Sequence, residues 1–251
     1  MMPTPPSLSL AAAEIPRATW DACLVAPRMG ALIRHFRGSG DGHPILVLPG
    51  YGAADGSTRL LRYFLKRIGY QTFGLDAGRN VEGLENRIQS VDDASRFRER
   101  LTEITGQRLL DIHEMTGQSV SLIGWSMGGL YAFDASQQHP DIARQVITLG
   151  TPFGDPRGTS LFNIMRRLSG STVPIEKQDF NGWLKKACAP RVPTCVIYSE
   201  SDGIVGSDIA KLPNSPLLQT IPVVSSHLGF TINGRVLEAI ATTLIEHSVR
   251  G

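Results

Sequence analysis

From Pro44 onward the chain alternates short, continuously apolar runs with longer stretches whose apolar residues return at helical spacing. The first run, 45–48 (Ile-Leu-Val-Leu), reads as a strand buried on both faces. After a loop at 49–56, Ser57 is placed to cap a helix with Leu60, Leu61, Phe64, Leu65 and Ile68 on one side, and Gly69 ends it. Residues 70–75 form the next expected strand. A longer helix over 92–115 sets Phe97, Leu101, Ile104 and Ile112 near one face and closes at Gly117. A strand at 119–123 runs through a sharp turn into a helix bearing Leu130, Tyr131 and Phe133, which stops before Pro140. Further strands are expected at 145–149, 194–198 and 217–224. The last helix, 234–248, carries the cleanest apolar stripe: Val236, Leu237, Ile240, Ala241, Leu244 and Ile245. Short strands separated by amphipathic helices predict an α/β architecture, a mostly parallel central sheet with helices on both faces.

Two segments break this rhythm. Residues 1–43, with Pro3, Pro5, Pro6 and the run Gly38-Ser39-Gly40-Asp41-Gly42, read as a partly mobile N-terminal extension. It comprises a mobile tip, a short helical stretch and a turn-rich linker ahead of one domain over 44–251. Residues 153–191 form an insertion far longer than a simple crossover needs, of a size to be a small lid. Within it Leu161, Ile164, Met165 and Leu168 share one helical face, with Arg166 and Arg167 turned away. Phe180, Trp183 and Leu184 follow, and Gly154, Gly158 and Gly170 offer places to bend. The alternative is a satellite core that closes over the domain.

Composition narrows the picture without changing it. At 251 residues, 41% hydrophobic and 19% charged, the chain suits one large core and excludes disorder. The net charge is +2, and Arg62, Arg67, Arg96, Arg98, Arg100 and Arg108 spread along expected helices, so no nucleic-acid partner is expected. Cys23, Cys188 and Cys195 show neither C-x-x-C nor metal-ligand spacing; free thiols and no metal centre are expected, with Cys195 buried in its apolar run. No apolar run approaches the length of a bilayer helix, so no integral membrane segment is expected. The start, 1–13, lacks a basic region and serines break its apolar stretch, which predicts no cleaved signal and a cytoplasmic location.

Candidate chemistry begins at Gly124-Trp125-Ser126-Met127-Gly128, a G-x-S-x-G pattern between an apolar strand and an amphipathic helix. In that setting the serine takes a strained backbone conformation, and glycines two residues to either side remove collisions. The helix starting near Met127 offers free N–H groups to an oxyanion. Ser126 is the candidate nucleophile; otherwise this is a glycine-rich turn with an incidental serine. A serine hydroxyl needs a base, itself oriented by an acid. Asp202 lies just past the strand at 194–198, where open α/β sheets gather their sites, though Asp202-Gly203 is also an ordinary turn dipeptide. Glu200 and Asp208 compete locally, Asp155 and Asp76 from earlier strands. Among the histidines, His35 and His43 precede the first strong strand, His113, His139 and His247 belong to helices, and His227 lies in a loop before the last helix. His227 is the candidate base. The turn Pro49-Gly50-Tyr51-Gly52 would supply the Tyr51 N–H as an oxyanion donor beside that of Met127, or is an ordinary strand-to-helix turn.

Taken together, Leu48-Pro49-Gly50-Tyr51-Gly52, Gly124 to Gly129, Leu149-Gly150-Thr151-Pro152-Phe153, Ser201 to Val205 and Ser226-His227-Leu228-Gly229 resemble the α/β-hydrolase superfamily over 44–248. The likeness is to its bacterial lipase and esterase side. That family often has His-Gly at the oxyanion turn, where this sequence has Pro49-Gly50, and no HGGG run is present. The resemblance implies a serine hydrolase that cleaves a small-molecule or lipid-like carboxylic ester through an acyl-enzyme on Ser126, with His227 and Asp202 and no cofactor. Trp125, Phe153, Met165 and Trp183 are the candidates to line the acyl pocket. The same triad would serve a thioesterase, amidase or acyltransferase, and a binding protein with a dead site is a third class. Serine in place of aspartate at the elbow argues against a dehalogenase.

Overall fold

The computed structural model describes residues 3–78, 90–160 and 180–250, with side chains to 246 in the last stretch. Its strands are β1 (Pro44–Leu48), β2 (Gln71–Gly74), β3 (Val120–Trp125), β4 (Ala143–Leu149), β5 (Thr194–Tyr198) and β6 (Leu218–Pro222). All pair in parallel, in the order β2-β1-β3-β4-β5-β6. The helices are α1 (Leu8–Ala12), α2 (Glu14–Phe36), α3 (Arg59–Ile68), α4 (Val91–Thr116), α5 (Met127–Gln138), α6 (Asn181–Lys185) and α7 (Gly234–Arg250).

Why the strands read as unbroken apolar runs is visible in β1. Leu46 and Leu48 face one core, with Leu109, Ile112, Leu130 and Phe133 of α4 and α5. Ile45 and Val47 face the other, with Ile33, Phe64 and Ile240 of α2, α3 and α7. Each β1 residue is therefore buried whichever way it points, as a parallel strand covered on both sides requires, whereas the edge strands β2 and β6 are partly exposed. The chain passes from β1 outward to β2, then returns through α4 to β3 on the other flank of β1. Strand order thus reverses at β1, and open parallel sheets bind ligands beyond the carboxyl ends of the strands at such a point.

Several elements differ from the pattern reading. Residues 14–36 are one helix of 23 residues, not a short helical stretch. It runs through Pro27, and Met29, Ile33 and Phe36 are buried in the core shared with α3 and α7. Ser57 does not cap α3: residues Asp55–Thr58 form a 3-10 turn, the Ser57 hydroxyl donates to the Ala54 carbonyl, and Thr58 precedes the helix without a side-chain cap bond. Leu60 and Ile104 are exposed, so the buried stripes of α3 and α4 are narrower than their apolar residues suggest. Gly69 and Gly117 do close their helices, and Ser90 with Asp93 forms a reciprocal cap at the start of α4. Among the described residues no helix is long and apolar enough to cross a membrane.

One buried ion pair joins α4 to α5. Arg98, 0% exposed, donates through Nε and Nη2 to the two Asp134 oxygens at 2.6 and 2.7 Å. Its guanidinium also lies 4.9 Å from the centre of the Trp183 ring. Removing one partner leaves an uncompensated buried charge, so Asp134→Ala is expected to cost about 3–5 kcal/mol in chemical denaturation. A midpoint within error of wild type would show that Arg98 finds another anchor.

Candidate active site

Ser126 stands between the last residue of β3 and the first of α5, with φ 55° and ψ −127°. A non-glycine residue at positive φ is held there only by its surroundings. A Cβ on Gly124 would lie 2.4 Å from the Gly128 carbonyl oxygen and from the Gly129 backbone, and one on Gly128 would lie 2.5 Å from the Pro49 carbonyl oxygen. Only glycine permits both approaches. The Ser126 N–H donates to the Leu149 carbonyl at 2.8 Å, and its carbonyl accepts from the Thr151 hydroxyl at 3.0 Å. The strained residue is thus pinned on both sides of its side chain.

Beyond β5 the chain turns around Asp202, whose Oδ1 accepts from the N–H groups of Ile204 and Val205 at 2.7 and 2.8 Å. Its Oδ2 accepts from His227 Nδ1 at 2.7 Å, which makes Nδ1 the protonated nitrogen. His227 Nε2 then accepts from the Ser126 hydroxyl at 2.9 Å. The structure brings together Ser126, His227 and Asp202, in the order and at the strand ends expected. Asp202 and His227 are both buried. Burial pulls the imidazole pKa down, but the Asp202 charge and hydrogen bond, with the Glu14 charge, outweigh it and hold His227 above its ordinary value.

The loop that carries His227 is braced on several sides. The Trp125 indole N–H donates to the His227 carbonyl at 3.0 Å, and Phe230 meets the imidazole edge-on. The Ser199 hydroxyl donates to the Ser225 carbonyl at 2.8 Å, tying the exit of β5 to the same loop. On the opposite side, a Cβ on Gly50 would lie 3.1 Å from Ser126 Cβ, so the turn after β1 abuts the serine. Tyr51 packs edge-on against Phe97, and Met127 opens α5.

The rival acids are engaged elsewhere. Asp155 accepts from the Arg157 backbone and pairs with its guanidinium, and Asp76 pairs with Arg108. Glu200 and Asp208 are exposed. Of the proposed pocket residues, Phe153 lies edge-on to Phe133 within the core, and Trp183 is buried with its indole N–H on the Gly154 carbonyl. Met165, with the rest of 161–179, lies outside the described residues. The flank of the insertion does reach the site region: the Ser160 hydroxyl donates to the Gly203 carbonyl at 2.9 Å, next to Asp202.

Sequence reasoning passed over a second serine-histidine-aspartate row. His43 Nδ1 donates to Asp41 at 2.5 Å, and Nε2 accepts from the Ser121 hydroxyl at 2.7 Å. Ser121 lies near the start of β3 with 0% exposure, and burial pushes the His43 imidazole below its ordinary value. The same groups in the opposite environment form a buried polar tie with no room for a substrate.

No family model matches the chain, and a comparison with curated proteins finds no match. Solved structures do share the fold. A monoacylglycerol lipase of Paleococcus ferrophilus is 14% identical with a TM-score of 0.56, over 84% of this chain and 96% of its own. One of a pair of metagenome-derived lipolytic enzymes is 17% identical with a TM-score of 0.57, over 83% and 95%. Naproxen esterase from Bacillus subtilis is 14% identical with a TM-score of 0.54, over 82% and 85%. The chain has the α/β-hydrolase fold.

The elbow itself can be tested. Gly124→Ala forces a methyl group into the Gly128–Gly129 backbone and is expected to cost about 1–3 kcal/mol, together with loss of fluorophosphonate labelling at Ser126. Wild-type stability and labelling would mean that the turn relaxes freely and Ser126 is not held by its neighbours.

Proposed function

We propose that this chain is a serine hydrolase that cleaves carboxylic esters through an acyl-enzyme on Ser126. The observation that carries the reading is His227, hydrogen-bonded at once to the Ser126 hydroxyl and the Asp202 carboxylate on a serine strained at a strand-to-helix turn. The fold neighbours named for lipase and esterase activity support the substrate class.

In this reading Ser126 Oγ attacks the ester carbonyl as its proton passes to His227 Nε2. Asp202 keeps Nδ1 protonated and stabilises the imidazolium. The N–H groups of Tyr51 and Met127 hold the oxyanion, the second at the start of α5 where the helix dipole adds to it. Collapse breaks the bond to the alkoxy group, which leaves as the alcohol with the proton from Nε2. Water, deprotonated by the neutral imidazole, then releases the acid and restores the Ser126 hydroxyl. No cofactor takes part, and the partner is a small-molecule or lipid-like ester. Residues 153–191 act as a lid that selects the acyl group, with Met165 lining the pocket and Trp125 beside His227.

Ser126→Ala is expected to abolish p-nitrophenyl ester hydrolysis with little change in melting temperature. Asp202→Asn should lower kcat by roughly 10⁴-fold through the wrong imidazole tautomer, while Asp155→Asn stays mild. The reverse ranking would reassign the acid. Since the base must be neutral, kcat/KM should fall as pH drops through the His227 pKa, with a midpoint above the ordinary 6.5; an acid limb below that value would contradict the raised pKa.

The lid has its own test. Met165→Ala should change the kcat/KM ratio between butyrate and palmitate esters by roughly 10-fold. Equal losses on both would reduce the insertion to packing.

A further inference from the structure

We propose that Glu14 is a positioning residue of this site, its buried carboxylate clamping the loop that carries Asp202 to the loop that carries His227. The inference rests on the triad reading and adds to it a group from the far end of the chain. Glu14 is the first residue of α2, and its carboxylate is 3% exposed. Its Oε1 accepts from the Gly203 N–H at 2.7 Å and from the His227 N–H at 3.0 Å. Its Oε2 accepts from the Leu228 N–H at 3.1 Å. One side chain therefore satisfies the amides directly following the acid, belonging to the base, and directly following the base.

Neighbouring contacts show that α2 is seated on these loops. Arg17, one turn along, donates to the Ser201 carbonyl at 2.5 Å. Asp21 accepts from the Asn233 side chain at 3.0 and 3.1 Å, below the His227 loop. At Gly203 a Cβ would lie 2.4 Å from the Leu10 carbonyl oxygen, so α1 also lies directly on the acid loop.

A carboxylate in this place does two things. It offers buried amides charge-assisted acceptors that water cannot supply there, which adds a backbone clamp between two loops already joined through Ser199 and Ser225 and through the Asp202–His227 hydrogen bond. It also adds negative charge behind the imidazole. The charged groups around His227 are Asp202 on the β5 loop and Glu14 and Arg17 on α2; Asp21 sits further off, 3.6 Å from Arg28. Trp125 and Phe230, which flank the ring, carry no charge. Glu14 acts with Asp202 in raising the His227 pKa. It thus favours the imidazolium that forms when Ser126 is deprotonated.

The test compares Glu14→Gln and Glu14→Ala in the full chain, with kcat expressed per folded molecule from denaturation curves. Glutamine keeps one acceptor oxygen and loses the charge; alanine loses both. For Glu14→Ala, kcat on p-nitrophenyl butyrate is expected to fall roughly 100-fold with KM nearly constant, as for displaced catalytic groups. Glu14→Gln should recover part of that loss. Removing the negative charge lowers the His227 pKa, so the acid limb of kcat/KM should move to lower pH in both variants. If alanine prevents folding, glutamine alone decides through its acid limb and kcat. A lower melting temperature with wild-type kcat and an unmoved acid limb would overturn the proposal, since a purely structural glutamate predicts that result. Ser126→Ala measured alongside separates the two claims. Activity that survives it refutes the triad, whereas activity lost there and untouched in the Glu14 variants refutes only the clamp.

Discussion

A parallel strand that runs directly into a helix leaves its last side chain buried unless the chain reverses within one residue. Ser126 makes that reversal at φ 55°, and the rest of the site depends on it. A conformation of this kind costs of the order of 1–3 kcal/mol and persists only where its surroundings over-determine it. Here the surroundings are backbone: Gly128 and Gly129 against Gly124, Leu48 and Pro49 against Gly128, and the Leu149 carbonyl on the Ser126 amide. Apart from Pro49, which directly follows β1, those partners belong to the neighbouring strands β1, β3 and β4 or to α5. The position of the half-buried Ser126 is thus secured by buried backbone at the centre of the fold.

The two serine-histidine-aspartate rows show why that position matters more than the identity of the groups. At Ser121 the serine lies within β3, its hydroxyl is enclosed, and burial holds its histidine below the ordinary pKa. At Ser126 the serine leaves the strand, and two carboxylates around His227 favour the charged imidazole despite its burial. A base that must accept a proton during reaction needs that second balance. The first is suited only to holding His43 and β3 together.

Much of this was legible in the sequence because it is written locally. The central strands of a doubly covered parallel sheet are apolar runs by themselves, and Ser126 and Asp202 each follow a strand within a few residues, as His227 follows the partly exposed edge strand β6. What was not legible depends on distant partners. Glu14 meets its amides 189 to 214 positions later, and α2 mixes alanines, two prolines and outward-facing Ile15 and Trp20. Its apolar pattern is too weak to announce a packed helix. Arg98 read as one more solvated arginine, since only the approach of α5 supplies Asp134. Phe153 and Trp183 fall in the insertion, and their packing into the neighbouring core depends on partners such as Phe133 and the Gly154 carbonyl that no local pattern announces. Leu60 and Ile104 erred the other way, as apolar residues at helical spacing that no second layer covers.

The central claim is that the Ser126 hydroxyl is an activated nucleophile, and covalent trapping tests it most directly. The native protein would be treated with a fluorophosphonate, digested, and the modified peptide identified by mass spectrometry. The account predicts a single phosphonyl adduct on Ser126, formed in step with loss of ester hydrolysis and much more slowly in a His227→Ala variant. Ester hydrolysis that persists without an adduct on Ser126, or an adduct on another residue that alone tracks inactivation, would contradict it.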